Sequence, residues 1–306
     1  MSTWVDDDRG LQALLAAGRH AALVAVDTEF MRGANYYPQP CLLQIGIDGR
    51  GWLVDLLAGL EIAALEPLFS DPGTIQVYHA CGEDLEILRL LGLPLPPRLF
   101  DTQVAASLTG IGFNLSLQAL VLSVLGRDLP KDATRTDWAR RPLQPEQLAY
   151  AAADVEWLPA VHHHLQTRLE ELGRTAWFGE EMQALRNRVS SAGSEEGDLL
   201  GYLKLRAGWT LAPRQQFMLR NLVDLRESWA RRLNVPRRWL CPDDGLVNLA
   251  RRAPATLAQL QKDGDVAGRW LEPFGREVLE GLKRWSGEPT PEGFPCIPGP
   301  LPKQMK

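Results

Sequence analysis

Cysteine and long apolar runs are both scarce in this sequence, and each scarcity excludes a class of protein. The cysteines are scattered without C-x-x-C spacing, at Cys41, Cys81, Cys241 and Cys296. This pattern excludes a disulfide framework and a zinc cluster, and it favours reduced thiols in a cytoplasmic protein. The sequence has no stretch of 18 or more consecutive apolar residues, so we expect no membrane span. The N-terminal residues MSTWVDDDRG are polar and acidic, which is unlike a signal peptide.

Positive charge is also limited, because the formal net charge of the whole chain is -5. Its distribution is uneven. Residues 203–285 contain 16 Lys+Arg and 9 Asp+Glu, whereas the rest of the chain contains 17 basic and 29 acidic residues. The two parts therefore carry +7 and -12. Charges of opposite sign indicate a part that binds a polyanion beside a part with another task.

The order of strand-like and helix-like segments predicts an α/β domain followed by an all-α domain. Apolar runs typical of strands lie at 21–30, 41–48, 52–57 and 74–80, and a Gly-bearing turn joins the second and third as a hairpin. Helical spacing then dominates, and the longest helix is expected to run from about Pro145 to about Gly173. We therefore expect a mixed central sheet flanked by helices.

Three separated acidic elements are candidates for catalysis. Asp27 and Glu29 end a predicted strand, where residues i and i+2 point to the same side. Asp84 begins the helix after the strand at 74–80. Asp154 and Tyr150 are four residues apart in a predicted helix, so they share one face.

Carboxylates gathered at one point repel one another unless cations neutralise them. Two Mg²⁺ or Mn²⁺ ions about 3.5–4 Å apart can do so, and such a pair can activate water for phosphodiester cleavage. Oxygen ligands favour these hard cations over zinc. A tyrosine hydroxyl nearby can orient the attacking water.

The segments that carry these acids resemble a known family. The three exonuclease motifs of ribonuclease D, which belongs to the DEDD superfamily with a tyrosine in the third motif, are similar to VAVDTEF, HACGEDLEIL and YAAADVEWL. The likeness extends through YYPQPCLLQIG, LFDTQVAASL and TRTDWARRPL, from about Val24 to Leu165. It implies an RNase H-like exonuclease domain in which two divalent metal ions are held by Asp27, Glu29, Asp84 and Asp154.

The same resemblance implies a role for Tyr150 and a substrate. Tyr150 would position the nucleophilic water. Members of this family trim the 3′ ends of precursor tRNA and other small structured RNAs and release nucleoside 5′-monophosphates. The expected activity is therefore that of a 3′-5′ exoribonuclease.

The C-terminal part resembles the HRDC domain, a helical nucleic-acid-binding domain shared by RecQ-type helicases and ribonuclease D. We therefore expect an exonuclease domain at 1–190, a linker or connecting helix at 191–210, an HRDC-type domain at 211–288 and a Pro-rich tail at 289–306 that is poorly ordered or extended. The family often carries a second such helical domain, for which this chain ends too early, so its RNA affinity or preference can differ.

Four further residues are candidates for substrate contact: Tyr37, Gln39, His79 and Arg135. Tyr37 and Gln39 follow the first motif and can line the pocket for the 3′ nucleotide. Arg135 lies in a polar loop that either contacts phosphate or packs against the long helix. For His79, packing beside the motif is the alternative.

Other conspicuous residues have simpler interpretations. Asp101 is expected to cap the following helix. The run His162–His164 points in three directions on one helix, so it is expected to be solvated or partly packed surface and not a metal site.

Two alternatives to an exoribonuclease stay open. One is a DNA 3′-5′ exonuclease of the same superfamily, since the motifs serve the same chemistry on either sugar. The other is a non-catalytic RNA-binding protein, although all four acids and the tyrosine are present. We expect a monomer that acts on RNA without an organic cofactor.

Overall fold

The computed structural model describes residues 2–129, 136–191 and 201–299. The chain divides into two compact units. The first, here called the sheet domain, comprises Met1–Met31 and Pro38–Ser190. The second, the helical domain, comprises Arg32–Tyr37 and Ser191–Lys306. Each unit has its own apolar core.

A single sheet organises the sheet domain. Its strands are β1 (Ser2–Val5), β2 (Leu23–Met31), β3 (Gln39–Ile47), β4 (Arg50–Asp55), β5 (Ile75–Tyr78) and β6 (Leu99–Asp101). They lie in the order β1-β4-β3-β2-β5-β6. The neighbours β2, β3 and β4 pair antiparallel, whereas β1 pairs parallel with β4, β5 with β2, and β6 with β5. The predicted mixed sheet is confirmed.

The outer strands of this sheet were not anticipated. β1 and β6 contain four and three residues. Runs this short show no alternation of apolar and polar residues. Leu99 and Asp101 nevertheless pair with β5. These short strands are defined by their parallel partners and not by their own pattern.

Helices cover the sheet: α1 (Asp8–Gly18), α2 (Glu66–Ser70), α3 (Gly82–Leu90), α4 (Thr102–Thr109), α5 (Leu117–Leu125), α6 (Pro145–Glu156), α7 (Leu158–Glu171) and α8 (Thr175–Ser191). Fully buried side chains from strands and helices, such as Val26, Phe69, Leu85 and Leu165, form one core. Within the described ranges, no helix combines the length and apolar character that a membrane crossing needs.

The prediction of one unbroken helix from about Pro145 to about Gly173 was wrong. α6 ends at Glu156, and α7 begins at Leu158 with a proline in its first turn. Pro159 has no N–H to donate to the carbonyl of Val155, and its ring would crowd that carbonyl, so an unbroken helix is disfavoured here. That carbonyl lies against Gly46 of β3, where a Cβ would come within 2.8 Å of it. The break therefore lets the end of α6 approach the sheet closely.

The helical domain contains no strand among its described residues, as predicted. Two 3-10 helices, Gly201–Lys204 and Arg206–Thr210, precede α9 (Pro213–Leu233), α10 (Arg237–Leu240), α11 (Asp243–Arg252), α12 (Leu257–Gly264), α13 (Gly268–Leu271) and α14 (Pro273–Gly287). Leu222, Leu249 and Phe274 are fully buried in the centre of this bundle.

The described segments on either side of the bundle pack against it. Residues 192–200 of the expected linker lie outside the described range, but Tyr202 is fully buried in the helical core. In the Pro-rich tail, the ring of Phe294 stacks on Tyr202 with a centroid distance of 5.5 Å. The backbone N–H of Ile297 donates to Gln216 Oε1 at 2.6 Å. The described part of the tail is therefore extended but packed on the bundle.

The short segment Arg32–Tyr37, which joins β2 to β3, also belongs to the helical domain. The hydroxyl of Tyr36 donates to Glu227 Oε2 at 2.9 Å and accepts from Arg231 Nε at 3.1 Å. The backbone N–H groups of Tyr36 and Tyr37 both donate to Asn234 Oδ1 at 3.1 Å. Burial and the neighbouring Glu227 raise the pKa of Tyr36 to about 12. The segment is therefore held by hydrogen bonds and a half-buried ring.

Candidate active site

The central strand β2 supplies the first two carboxylates of the site. Asp27 and Glu29 alternate with Thr28, so they point to one side of the strand. Glu29 is 8% exposed, and the pairing of β2 with β3 shifts register directly after it. A bulge at this point bends the strand at its end. The two carboxylates therefore lie directly before this irregularity in the strand.

Asp154 reaches the same point from α6. One carboxylate oxygen from each of Asp27, Glu29 and Asp154 lies within 4.8 Å of the others. The close approach of Val155 to Gly46 places this turn of α6 directly on β3, which pairs with β2. We call Asp27, Glu29 and Asp154 the carboxylate cluster.

Asp84 lies beside this cluster without being one of the three. It is in the first turn of α3, which begins after β5, the parallel neighbour of Asp27's strand. The hydroxyl of Thr28 donates to Asp84 Oδ1 at 2.6 Å, and Asp84 is 6% exposed. The four predicted acids thus converge, three as a tight group and the fourth fixed by the residue between Asp27 and Glu29.

The electrostatics of these acids fit a divalent cation. Burial raises the pKa of Asp27 well above its usual range, and the charge of Asp154 raises it further. Burial also raises the pKa of Asp84, with Asp27 as the next largest cause. Confined like charges in a poorly solvated place are unfavourable unless a cation compensates them. Oxygen donors alone are the set that Mg²⁺ and Mn²⁺ prefer.

Tyr150 lies one turn before Asp154 on α6 and is half-buried. Its ring lies 6.2 Å from that of Trp138, which is 1% exposed. The loop that carries Trp138 is tied to α6, because Gln147 Nε2 donates to Thr136 Oγ1 at 2.9 Å. The buried indole restricts the phenol on the face of the helix that also presents Asp154.

Asp101 caps α4 through the backbone N–H groups of Gln103 and Val104, which confirms its predicted structural role. It also accepts hydrogen bonds from the backbone N–H groups of Ala80 at 3.2 Å and Cys81 at 2.9 Å. Ala80 has a positive φ of 58°. Asp101 therefore holds the turn from which α3 and Asp84 start.

The structure describes three of the four candidates for substrate contact, and it places them separately. His79 uses both ring nitrogens internally, with Thr102 Oγ1 at 2.9 Å and the Leu115 carbonyl at 3.0 Å. Tyr37 lies in the segment that folds with the helical domain, and Gln39 begins β3 opposite Met31. Arg135 lies outside the described residues. These contacts fit the packing alternative for His79.

The histidine run differs in part from expectation. His163 and His164 are exposed, but His162 is 9% exposed and packs edge-on against Phe100 at 4.4 Å. Burial lowers its pKa to about 4. One of the three histidines is therefore a neutral core residue.

Comparisons with known proteins agree with this geometry. The 3′-5′ exonuclease domain family matches residues 2–170, and the HRDC domain family matches residues 215–282. Ribonuclease D of Pseudomonas paraeruginosa is 38% identical over 304 residues, which are 99% of this chain and 79% of that protein. The chain belongs to the ribonuclease D family. It is accordingly a 3′-5′ exoribonuclease with an HRDC domain.

Solved structures extend the likeness to ribonuclease D in three dimensions. The crystal structure of Escherichia coli RNase D, an exoribonuclease involved in structured RNA processing, has a TM-score of 0.81 and 28% identity over 97% of this chain and 78% of that chain. Brucella melitensis NrnC with bound Mg²⁺ has a TM-score of 0.51 and 28% identity over 57% of this chain and 87% of that chain. The relatives named as ribonucleases favour RNA over the DNA alternative.

Two polar residues around the acids were missed in the sequence. Thr28 stands inside the first motif and binds Asp84. Gln44 interrupts the apolar strand CLLQIGID and lies opposite Asp27 in the β2–β3 ladder. An amide in the middle of a buried strand is the signal that could have identified the second.

Several arginines of the helical domain contact acidic or aromatic side chains. Arg237 pairs with Glu227 at 3.4 Å, Arg252 with Asp263 at 2.8 Å, and Arg232 lies over the ring of Trp229 at 4.1 Å. Arg237, Arg252 and Arg232 remain exposed. Exposed guanidinium groups on a net positive domain can still meet phosphate.

Proposed function

We propose that this ribonuclease D family member trims the 3′ ends of precursor tRNA and other small structured RNAs by two-metal hydrolysis, releasing nucleoside 5′-monophosphates. The carboxylate cluster, with oxygens of Asp27, Glu29 and Asp154 within 4.8 Å of one another, is the observation that carries the proposal. The similarity to E. coli RNase D, an exoribonuclease involved in structured RNA processing, supports this class of substrate.

In this proposal the carboxylate cluster holds one divalent ion, and Asp27 with Asp84 holds a second. Mg²⁺ or Mn²⁺, when bound, lowers the pKa of an attacking water and neutralises charge on the phosphate. The Mg²⁺ bound by the similar NrnC supports this choice of ion. Thr28 keeps Asp84 next to the cluster through its 2.6 Å hydrogen bond.

Tyr150 orients the attacking water in this proposal. A tyrosine hydroxyl is not a strong base, but it can donate or accept a hydrogen bond. Trp138 restricts the ring, so the hydroxyl keeps one direction. Tyr150→Phe should therefore lower kcat while RNA binding is kept, because only the hydroxyl is removed.

The direct test is a time course on a 5′-labelled RNA with a stem and a single-stranded 3′ tail, in Mg²⁺, Mn²⁺ or EDTA. We expect a ladder that shortens from the 3′ end and is absent in EDTA. Chromatography of the products should show nucleoside 5′-monophosphates. A DNA of the same sequence tests the sugar preference in parallel.

Asp154→Asn tests the assignment of the metal ligands. The variant should lose cleavage and keep RNA binding, because it removes a metal ligand and no phosphate contact. Near-normal turnover by Asp154→Asn would refute the assignment. An intact RNA in both Mg²⁺ and Mn²⁺ would refute the proposed reaction.

A further inference from the structure

Gln44 is a polar residue in the centre of the sheet that the proposed reaction does not use. It lies on β3, directly opposite Asp27 in the antiparallel ladder, and is 0% exposed. Its strand neighbours Leu43 and Ile45 are fully buried apolar residues. An amide at such a position loses its hydration, so its contacts should explain why it is there.

The amide of Gln44 is only half satisfied. Nε2 donates to Asp27 Oδ2 at 3.4 Å, whereas Oε1 has no hydrogen-bond partner among the described residues. This orientation suits the ionised form of Asp27, which is the form that binds a metal ion, since the reversed amide would set its oxygen against a carboxylate oxygen. A buried acceptor without a partner costs free energy. Gln44 thus gives up stability in order to direct an N–H at Asp27.

Gln76 shows how a glutamine serves the fold alone. It lies on β5 of the same sheet and is also 0% exposed. Its Nε2 donates to the Leu68 carbonyl at 3.0 Å, and its Oε1 accepts from the Tyr78 hydroxyl at 2.8 Å. Both ends of this amide are paired, unlike those of Gln44. Gln44 and Gln76 are therefore equally buried in the same sheet and differ in their hydrogen-bond partners.

We propose that Gln44 is a positioning residue that orients the Asp27 carboxylate for divalent metal binding. The inference rests on the proposed metal site. A neutral N–H can fix the rotation of a carboxylate without cancelling the charge that attracts a cation, whereas Arg or Lys would compete with it. Hydrogen bonds from outer residues hold metal ligands in this way, and their loss commonly weakens metal affinity about 10–100-fold. Thr28 holds Asp84 by the same kind of contact.

The test uses the full chain without RNA and takes Mn²⁺ alone as the probe. Gln44→Met and Gln76→Met are compared with the native chain by calorimetric titration with Mn²⁺ and by unfolding of the metal-free protein. Gln44→Met should bind Mn²⁺ about 10–100-fold more weakly. Its metal-free form should unfold at the same temperature as the native protein or higher, because removal of an unpaired buried oxygen offsets the loss of the long hydrogen bond to Asp27.

Gln76→Met should behave in the opposite way. Its metal-free form should unfold at a lower temperature, because two hydrogen bonds are lost, while Mn²⁺ affinity stays within about twofold of native. Gln44→Leu repeats the first test with a second apolar side chain, in case methionine packs poorly.

Three results would overturn the inference, and they are distinguishable. If Gln44→Met and Gln44→Leu both bind Mn²⁺ with the affinity of the native chain, the role of Gln44 is refuted while the metal site itself stands. A native chain that binds neither Mn²⁺ nor Mg²⁺ would refute the metal site and this inference together. Equal destabilisation of Gln44→Met and Gln76→Met, with no separate loss of affinity, would make Gln44 a residue of the fold.

Discussion

Replacing His162 by leucine should remove a loss of stability that the native protein suffers as the pH falls. The folded protein holds the pKa of His162 at about 4, below the ordinary 6.5, chiefly because the ring is buried. Below pH 6.5 the unfolded chain takes up a proton at this residue while the folded chain does not. Unfolding is therefore favoured as the pH falls from 6.5 to 4, and the effect is complete below that range.

The size of the effect follows from the two pKa values. The change from 6.5 to about 4 corresponds to about 3 kcal/mol at the acid limit. At pH 5 about 2 kcal/mol of this would be present, and residual solvent screening reduces it to about 1–2 kcal/mol. At pH 7.5 the free energy of unfolding of the variant should differ from that of the native protein by less than about 1.5 kcal/mol, because leucine is apolar and similar in volume. His162 Nε2 has no hydrogen-bond partner among the described residues, so the substitution leaves no partner of that nitrogen unpaired.

Urea unfolding followed by circular dichroism, at intervals from pH 7.5 to pH 5, measures this difference. The native free energy of unfolding should fall more steeply than that of His162→Leu, with equal dependence on urea concentration. His164→Leu, on the exposed side of the same helix, is the control and should retain the native slope, since His162 is still present. Parallel curves for native protein and His162→Leu would refute the argument.

Two further substitutions test how the site is supported. Asp101→Ala should lower the free energy of unfolding by about 2–4 kcal/mol, because it removes a helix cap and leaves the N–H groups of Ala80 and Cys81 unpaired. Urea unfolding measures this loss, and a value below about 0.5 kcal/mol would contradict the prediction. Gly46→Ala should destabilise by about 1–3 kcal/mol and weaken Mn²⁺ binding, since its Cβ would come within 2.8 Å of the carbonyl that follows Asp154. Gly51→Ala, across the β3–β4 ladder from Gly46, is the control, because a Cβ there meets Ser2 at an ordinary 3.6 Å. Equal effects of Gly46→Ala and Gly51→Ala would contradict the prediction.

Much of this architecture could be predicted where a residue's own neighbours in sequence decide its structure. The alternation along β2 was enough to set Asp27 and Glu29 on one side, and a one-turn spacing was enough to put Tyr150 and Asp154 on one face. The cap at Asp101 follows from local hydrogen bonding in the same way.

The remainder depends on contacts between distant parts of the chain. The pairing of Asp27 with Gln44 needs the register of β2 and β3, and no tight turn fixes it, because their connection passes through Arg32–Tyr37. The break before Pro159 was missed because proline is tolerated in a first helical turn, so the sequence alone does not tell a restart from continuation. The bond from Thr28 to Asp84 spans 56 residues.

Because the segment Arg32–Tyr37 folds with the helical domain, the exonuclease domain is not one continuous stretch of the chain. A fragment cut after Ser190 would still carry Tyr36 but would lack Glu227, Arg231 and Asn234, its hydrogen-bond partners. The loop left behind begins only three residues after Glu29. A grafted helical domain would likewise need its own version of these six residues, inserted between β2 and β3. Exchange of the helical domain during evolution or engineering therefore requires two coordinated replacements and not a single fusion point.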